Sequence, residues 1–208
     1  MPRRSYDQFC PIARALDHLG ERWTLLVVRE LLGGPRRYSD LLADLPGVST
    51  DVLAARLREM ERDGLVVRRR VPRSTAHVYE LAPAGRELTP VLAALADWGG
   101  GRLGERRSTD SVREHWFAVP LATMLRPVVD VATVEVRLGE VVFTLHVADV
   151  PGYADGPADN PAAVVETDLE TASALVAGEL DLDGAVERDR LRYKKIGVET
   201  ASAEPLPG

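Results

Sequence analysis

The segment from Ser49 to Arg62 constrains the fold more than any other part of this sequence. Ser49 is a favourable N-cap, and the Asp-Gly pair that follows Arg62 is a favourable helix stop. At about 100° per residue, Leu53, Leu57 and Met60 fall on one stripe, while small and polar residues fall on the opposite one. The spacing predicts an amphipathic helix over residues 49–62 that buries one face and offers the other to a partner.

An arginine-rich hairpin is predicted directly after this helix. Residues 65–71 have the pattern of a strand, residues 77–81 that of its partner, and a Pro-Arg-Ser-Thr-Ala turn joins them. Apolar spacing upstream predicts three shorter helices, at residues 10–19, 23–32 and 38–45. The predicted order is helices, a turn, a further helix and then a hairpin. This is the order of elements in a winged helix-turn-helix.

A winged helix binds DNA with the first residues of its last helix and with its hairpin, the wing. Small alanines on the exposed face permit close approach, Arg58 suits guanine or phosphate, and Asp51 suits a cytosine amine. Arginines in the wing and before the third helix suit phosphates or the minor groove. The alternative for each is a solvated surface. The predicted DNA-binding residues are Arg36, Arg37, Ser39, Ser49, Thr50, Asp51, Ala54, Ala55, Arg58, Arg68, Arg69, Arg70 and Arg73.

Charge divides the chain into two parts. Residues 1–104 hold 16 arginines against 13 acidic residues, a net of +3, whereas residues 105–208 hold 10 basic against 19 acidic residues, a net of −9. Only the first part suits a polyanion. We therefore predict a DNA-binding and dimerisation domain over residues 1–104 and a separate domain over residues 112–208.

The second half has the pattern of an α+β domain with a mostly antiparallel sheet. A two-residue turn, Gly139-Glu140, predicts a hairpin, and a Pro- and Gly-rich loop is predicted at residues 149–161. Strands are expected at residues 131–138, 141–148, 162–167 and 190–193, with helices at 168–177 and 183–188.

Dense motifs in the first hundred residues resemble the HxlR family of bacterial regulators. They are Cys10-Pro11, Gly20-Glu21-Arg22-Trp23, Arg37-Tyr38-Ser39-Asp40-Leu41, Leu57 to Val66, Tyr79-Glu80-Leu81, Gly85 and Trp98. Arg22 stands where the family usually has lysine, and Tyr38 where it usually has phenylalanine. The resemblance implies a sequence-specific transcriptional regulator that binds a near-palindromic double-stranded operator as a homodimer.

An apolar stripe at residues 83–98 supports the dimer independently. Leu88, Leu92, Leu95 and Trp98 recur at helical spacing, and Pro90 predicts a kink or two shorter helices. So large a stripe on so small a domain favours a dimer interface, with burial inside the monomer as the alternative.

The signal that switches the regulator is expected in the acidic half. Residues 112–193 resemble the sterol-carrier-protein fold, which commonly encloses an apolar cavity. The resemblance implies a small apolar effector, with Trp116, Phe117, Met124, Phe143 and Leu145 as candidate lining residues. Core packing accounts for each of these equally well.

Cys10 offers an alternative signal. It stands where some HxlR members carry a redox- or electrophile-sensing cysteine. Thiolate chemistry requires a favourable neighbour, and Arg14, one helical turn further on, is a candidate. The alternative is a small buried apolar residue, which is the usual fate of a free cysteine.

Several classes of protein are disfavoured by the sequence. The four histidines show no metal-ligand spacing, and phosphate-loop, GxGxxG and Gly-x-Ser-x-Gly motifs are absent, so we expect neither an enzyme nor a cofactor. No apolar run approaches the roughly 20 residues of a membrane helix. With one cysteine and no apolar leader, the chain is expected in the cytoplasm. An adaptor that does not bind DNA is a further alternative.

Overall fold

The computed structural model describes residues 5–148 and 152–196. Contacts divide the chain into two compact units, residues 1–88 and residues 89–208. In the described residues, no helix is both long enough and apolar enough to cross a membrane.

The first unit is a winged helix-turn-helix, as predicted. Its hairpin and a two-residue strand form a three-stranded antiparallel sheet in the order β1-β3-β2. The predicted helix and strand bounds agree within about two residues, except that β1 was not expected, because two residues carry no periodicity. The elements are α1 (Pro11–Leu19), α2 (Thr24–Leu32), β1 (Arg36–Arg37), α3 (Tyr38–Asp44), α4 (Thr50–Arg62), β2 (Val66–Arg70), β3 (His77–Leu81) and α5 (Pro83–Arg86).

Helix α4 has the buried face that its spacing predicts. Leu53, Leu57 and Met60 are all buried in the core of this unit. The Ser49 hydroxyl accepts the Val52 N–H at 3.3 Å, which satisfies a donor at the helix start. Gly64 has a φ of +72° just beyond the helix end, which a glycine adopts without steric cost. The N-cap at Ser49, the buried apolar stripe and the glycine after the last turn thus all favour the same helix.

The second unit is an α+β domain with a mostly antiparallel sheet, as predicted. In the described residues its sheet has five strands in the order β6-β5-β4-β7-β8, and every neighbouring pair is antiparallel except β4 and β7. After a 3-10 helix (Glu114–Phe117), α7 packs against β5 and β6. The elements are α6 (Thr89–Gly100), α7 (Ala118–Leu125), β4 (Thr133–Leu138), β5 (Val141–His146), β6 (Gly152–Asp155), β7 (Ala163–Thr167), α8 (Leu169–Ala177), α9 (Leu182–Glu187) and β8 (Leu191–Lys195).

Three elements of this unit were not predicted: the short 3-10 helix, strand β6 and helix α7. Strand β6 lies within the segment expected to be a loop, where Gly, Pro and Asp hide the strand pattern; residues 149–151 of that segment lie outside the described residues. Helix α7 is apolar almost all round, with five of its eight residues buried, so it shows no polar face from which to infer a period.

The segment around Pro90 forms two helices, one of the two outcomes predicted. Helix α5 ends at Arg86, and Pro90 occupies the first turn of α6, where a proline costs no helical hydrogen bond. Helix α6 was assigned from the sequence to the domain of residues 1–104, whereas contacts group it with the second unit. The reason is that α6 packs against α7 and α8.

Candidate nucleic-acid interface

The exposed face of α4 carries the polar residues predicted for it. Thr50, Asp51 and Arg58 are exposed, and the two alanines, Ala54 and Ala55, are half-buried. Among the described residues, the Arg58 guanidinium has no bonded partner, so it is available to an external acceptor. A cationic side chain that points away from a well-packed helix is suited to phosphate or guanine.

The wing arginines differ in what they already bind. Arg68 lies opposite Tyr79 in the sheet, and Arg69 lies opposite Val78, on the other face. The guanidinium of Arg69 forms an ion pair with Glu80, and Arg70 Nε donates to the Ser74 carbonyl at 2.8 Å. Arg68 is exposed and has no bonded partner among the described residues. Arg69 and Arg70 therefore stiffen the hairpin, while Arg68 is available to DNA.

The tip of the wing is a tight turn with an unusual residue in it. The Ser74 N–H donates to the Val71 carbonyl at 3.1 Å, and Arg73, the third residue of this turn, has a φ of +60°. Turns of this kind favour glycine at that position, and another residue there costs about 1 kcal/mol. Arg73 is exposed and unbonded within the described part of the chain. The strained backbone thus holds a free guanidinium at the tip.

The third helix is tied to the start of α4. The Tyr38 hydroxyl donates to the Thr50 carbonyl at 2.7 Å. Ser39 donates to Asp40 at 3.1 Å, and Arg36 is half-buried with its Nε donating to the Glu30 carbonyl at 3.3 Å. Arg36, Ser39 and the cap residue Ser49 therefore make local contacts. Arg37 is exposed at the start of α3, where its backbone N–H donates to Asp40 Oδ2 at 3.0 Å.

Sequence reasoning missed two residues of this surface. Val52 is 42% exposed in the first turn of α4, beside the polar residues. Arg56 joins α4 to the segment before α2, because its guanidinium bonds both Glu59 and Glu21. Glu21 belongs to the Gly-Glu-Arg-Trp motif, which is the sequence signal from which a structural role of this contact could have been inferred.

Exposed apolar side chains lie in both units. In the first unit, Phe9 is fully exposed, and Tyr6, Ile12 and Leu16 are also exposed. In the second unit, α6 exposes Leu95 and Trp98, which were predicted for the dimer interface, and Val91, which was not. The predicted Leu88 and Leu92 are half-buried.

Cys10 lies at the N-cap of α1 and is half-buried. The predicted helper, Arg14, has its Nη1 3.4 Å from Asp17 Oδ2 and 3.5 Å from Ser5 Oγ. Asp17 also accepts the Tyr6 N–H at 2.9 Å, and this bond lowers the pKa of that carboxyl. Arg14 thus holds the N-terminal segment onto α1.

The five candidate effector residues do not converge on one cavity. Phe143 and Leu145 are completely buried in the inner face of the sheet, and Trp116 and Phe117 are half-buried in the 3-10 helix. Met124 alone of the five lines a cavity of about 300 Å³ between α6, α7 and α8.

Helix α4, the wing and their free arginines define a DNA-binding winged helix-turn-helix protein. Residues 18–107 match the HxlR-like helix-turn-helix family. The HTH-type transcriptional regulator sll1512 of Synechocystis sp. is 44% identical over 94 residues, which cover 43% of this chain and 70% of that protein. The HTH-type transcriptional regulator YvaP of Bacillus subtilis is 38% identical over 94 residues. The match covers 44% of this chain and 87% of the length of YvaP. The chain belongs to the HxlR-like helix-turn-helix family of transcriptional regulators.

Among solved structures, the reduced form of the transcriptional regulator YodB from Bacillus subtilis is 28% identical, with a TM-score of 0.41. It aligns with 48% of this chain and 100% of its own. The family match runs through α6 to residue 107, although contacts group α6 with the second unit.

Proposed function

We propose that this regulator is a cytoplasmic homodimer that binds a near-palindromic operator through α4 and the wing, and that a small molecule in the second unit alters its affinity. One observation carries the proposal. Arg58, Arg68 and Arg73 are exposed and have no bonded partner within the described residues, and they lie on the helix and the wing that this fold presents to DNA.

The homodimer is supported by the exposed apolar side chains. Trp98 is 63% exposed, and the guanidinium of Arg102 lies 4.1 Å above its ring. Exposed aromatic and aliphatic side chains clustered on one helix face are typical of protein interfaces. Twofold symmetry would present two α4 helices to half-sites about one turn of DNA apart.

The small-molecule switch is supported by the cavity that Met124 lines and by the net charge of −9 in residues 105–208, which suits this half to a role away from DNA. The assignment of this half to the sterol-carrier-protein fold stays a prediction. Oxidant sensing by Cys10 receives less support, because Arg14 is engaged by Asp17. A Cys10→Ser variant with an unchanged oxidant response in a DNA-binding assay would exclude it.

In vitro selection from a random duplex library tests the proposal. We expect the full chain to enrich near-palindromic sequences, and sedimentation to show a dimer bound to each selected duplex. The Arg58→Ala variant should bind the selected duplex more weakly, whereas Arg126→Ala, which removes an exposed arginine from the second unit, should bind it normally. A chain that enriches no sequence, or that binds as a monomer, contradicts the proposal.

A further inference from the structure

The cavity in the second unit lies between α6, α7 and α8 and is partly open to solvent. Its volume of about 300 Å³ is at the small end of the range for ligand pockets. Met124 of α7 and Leu175 and Val176 of α8 provide apolar wall, and alanines of α6 leave the space open. Such a space fits a single ring or a short alkyl chain.

The one ionisable side chain among the described lining residues of the cavity is acidic. Asp97 lies on its wall, is exposed, and has no bonded partner among the described residues. Ala177 and Gly178 of the same wall form the C-terminal end of α8, where the helix dipole is negative. Among the described residues that line the cavity, none is cationic. The cavity therefore favours a cation over an anion or a neutral molecule of equal size.

Helix α6 separates the cavity from the exposed apolar surface. Ala93 and Ala96 face the cavity, while Leu95 and Trp98, about half a turn round the helix, are exposed. A Cβ added to Gly100 would lie 2.4 Å from the Val176 carbonyl oxygen, so α6 already touches α8 there. Helix α6 thus forms one wall of the cavity and also carries the exposed apolar side chains, so a ligand bound in the cavity contacts the helix of the proposed dimer surface.

We propose that this cavity binds a small amphipathic cation, an ammonium group on a compact apolar body, and that its binding shifts α6 and thereby operator affinity. The ammonium lies against Asp97 and the end of α8, and the apolar body against Met124 and Leu175. This inference rests on the proposed function, because α6 also carries the proposed dimer surface. Binding changes operator affinity only if the ligand prefers one arrangement of α6.

An NMR titration of the full chain with three probes of similar size tests the site. Phenethylammonium should bind most tightly, phenethyl alcohol about fivefold more weakly, and phenylacetate more weakly still, since one partly screened ion pair contributes up to about 1 kcal/mol. Equal affinity for the three probes, or no binding of phenethylammonium, overturns the assignment.

Two variants locate the bound cation. Asp97→Asn should reduce phenethylammonium affinity about fivefold, to that of the alcohol, and the matched loss of an exposed carboxylate, Asp159→Asn, should leave it unchanged. Ala96→Leu fills the cavity and should abolish binding of every probe. If Ala96→Leu misfolds, Asp97→Asn still tests the site. Asp97 is exposed, so its replacement should leave folding unaffected. Unchanged affinity in Asp97→Asn contradicts the site.

Operator binding with and without saturating phenethylammonium tests the regulatory step. We expect the operator Kd to change at least threefold, and to stay constant in Ala96→Leu. If the ligand-free chain binds no operator, the proposed function fails, whatever the probes do. If it binds operator but phenethylammonium leaves the Kd unchanged, only the regulatory inference fails.

Discussion

The two units use their basic residues in different ways. In the second unit, Arg137 bonds Glu135 and Glu166, Arg192 bonds Asp189, and Lys195 bonds Asp130. The carboxylates hold the pKa of the Arg137 and Arg192 guanidinium groups above the ordinary value. In the first unit, by contrast, Arg58, Arg68 and Arg73 extend into solvent from α4 and the wing.

This contrast shows that composition alone does not identify a DNA-binding surface. An arginine whose charge is matched by a nearby carboxylate has little left to offer a phosphate. The carboxylates outnumber the basic residues in the acidic half, and four of its arginines each bond a carboxylate within it: Arg107, Arg137, Arg190 and Arg192. Where the fold leaves an arginine unpaired on a protruding element, the charge is available to a polyanion.

The largest effect is expected from splitting the proposed dimer. Leu95→Glu places a charge on the exposed face of α6, and it should convert the dimer to a folded monomer. Operator affinity should then fall at least about 100-fold, because the two half-sites no longer act through one linked protein. Sedimentation velocity and fluorescence anisotropy measure the two effects. The matched control is Ala132→Glu, which adds the same charge at an exposed position of the second unit outside α6. If the Leu95→Glu variant remains a dimer with full operator affinity, α6 is not part of the dimer interface.

A direct comparison of the two units comes next. Arg58→Ala should cost about 1 to 3 kcal/mol of operator binding and relax sequence preference in each half-site. Arg137→Ala should leave operator binding unchanged but lower the free energy of unfolding, because Glu135 is buried and loses its partner. Binding isotherms and denaturant unfolding of both variants decide this. If the two substitutions weaken operator binding equally, the contrast between the units is wrong.

Arg73→Gly should affect protein stability and operator affinity in different ways. Glycine relieves the positive φ at the wing tip, so the variant should be as stable as the parent, or more stable by up to about 1 kcal/mol. Operator affinity should nevertheless fall severalfold, since the tip loses its guanidinium. Thermal unfolding measures the stability and fluorescence anisotropy measures the operator affinity. Arg73→Lys, which keeps the positive charge, is the control. Full operator affinity in Arg73→Gly would show that the tip stays outside the complex.

The smallest effect is expected at Tyr38. Replacing it with phenylalanine, the usual residue of the family, removes the hydroxyl that donates to the Thr50 carbonyl. The unfolding free energy should fall by about 0.5 to 1 kcal/mol, and operator affinity by no more than a few fold. Denaturant unfolding with Tyr79→Phe as the comparison checks whether the Tyr38 hydroxyl is specifically responsible.

Local patterns explain why the first unit was more predictable. In α4, the cap at Ser49, the apolar stripe and the glycine at the end all indicate the same helix, so its bounds were predicted closely. Helix α7 offers no polar face, and β6 lies among turn-forming residues, so neither had a usable pattern. The cavity could not be predicted, because Ala96, Met124 and Leu175 come from three helices and converge only in the folded chain.

The salt dependence of operator binding tests the central claim most directly. The parent chain and a variant with Arg58, Arg68 and Arg73 all changed to alanine would be compared across a salt series. Each lost phosphate contact reduces the slope of log K against log salt by about 0.9, and a dimer loses each contact twice. We expect the magnitude of the slope to fall by about 2 to 5. An unchanged slope in the triple variant would contradict the assignment of the DNA-binding surface to α4 and the wing.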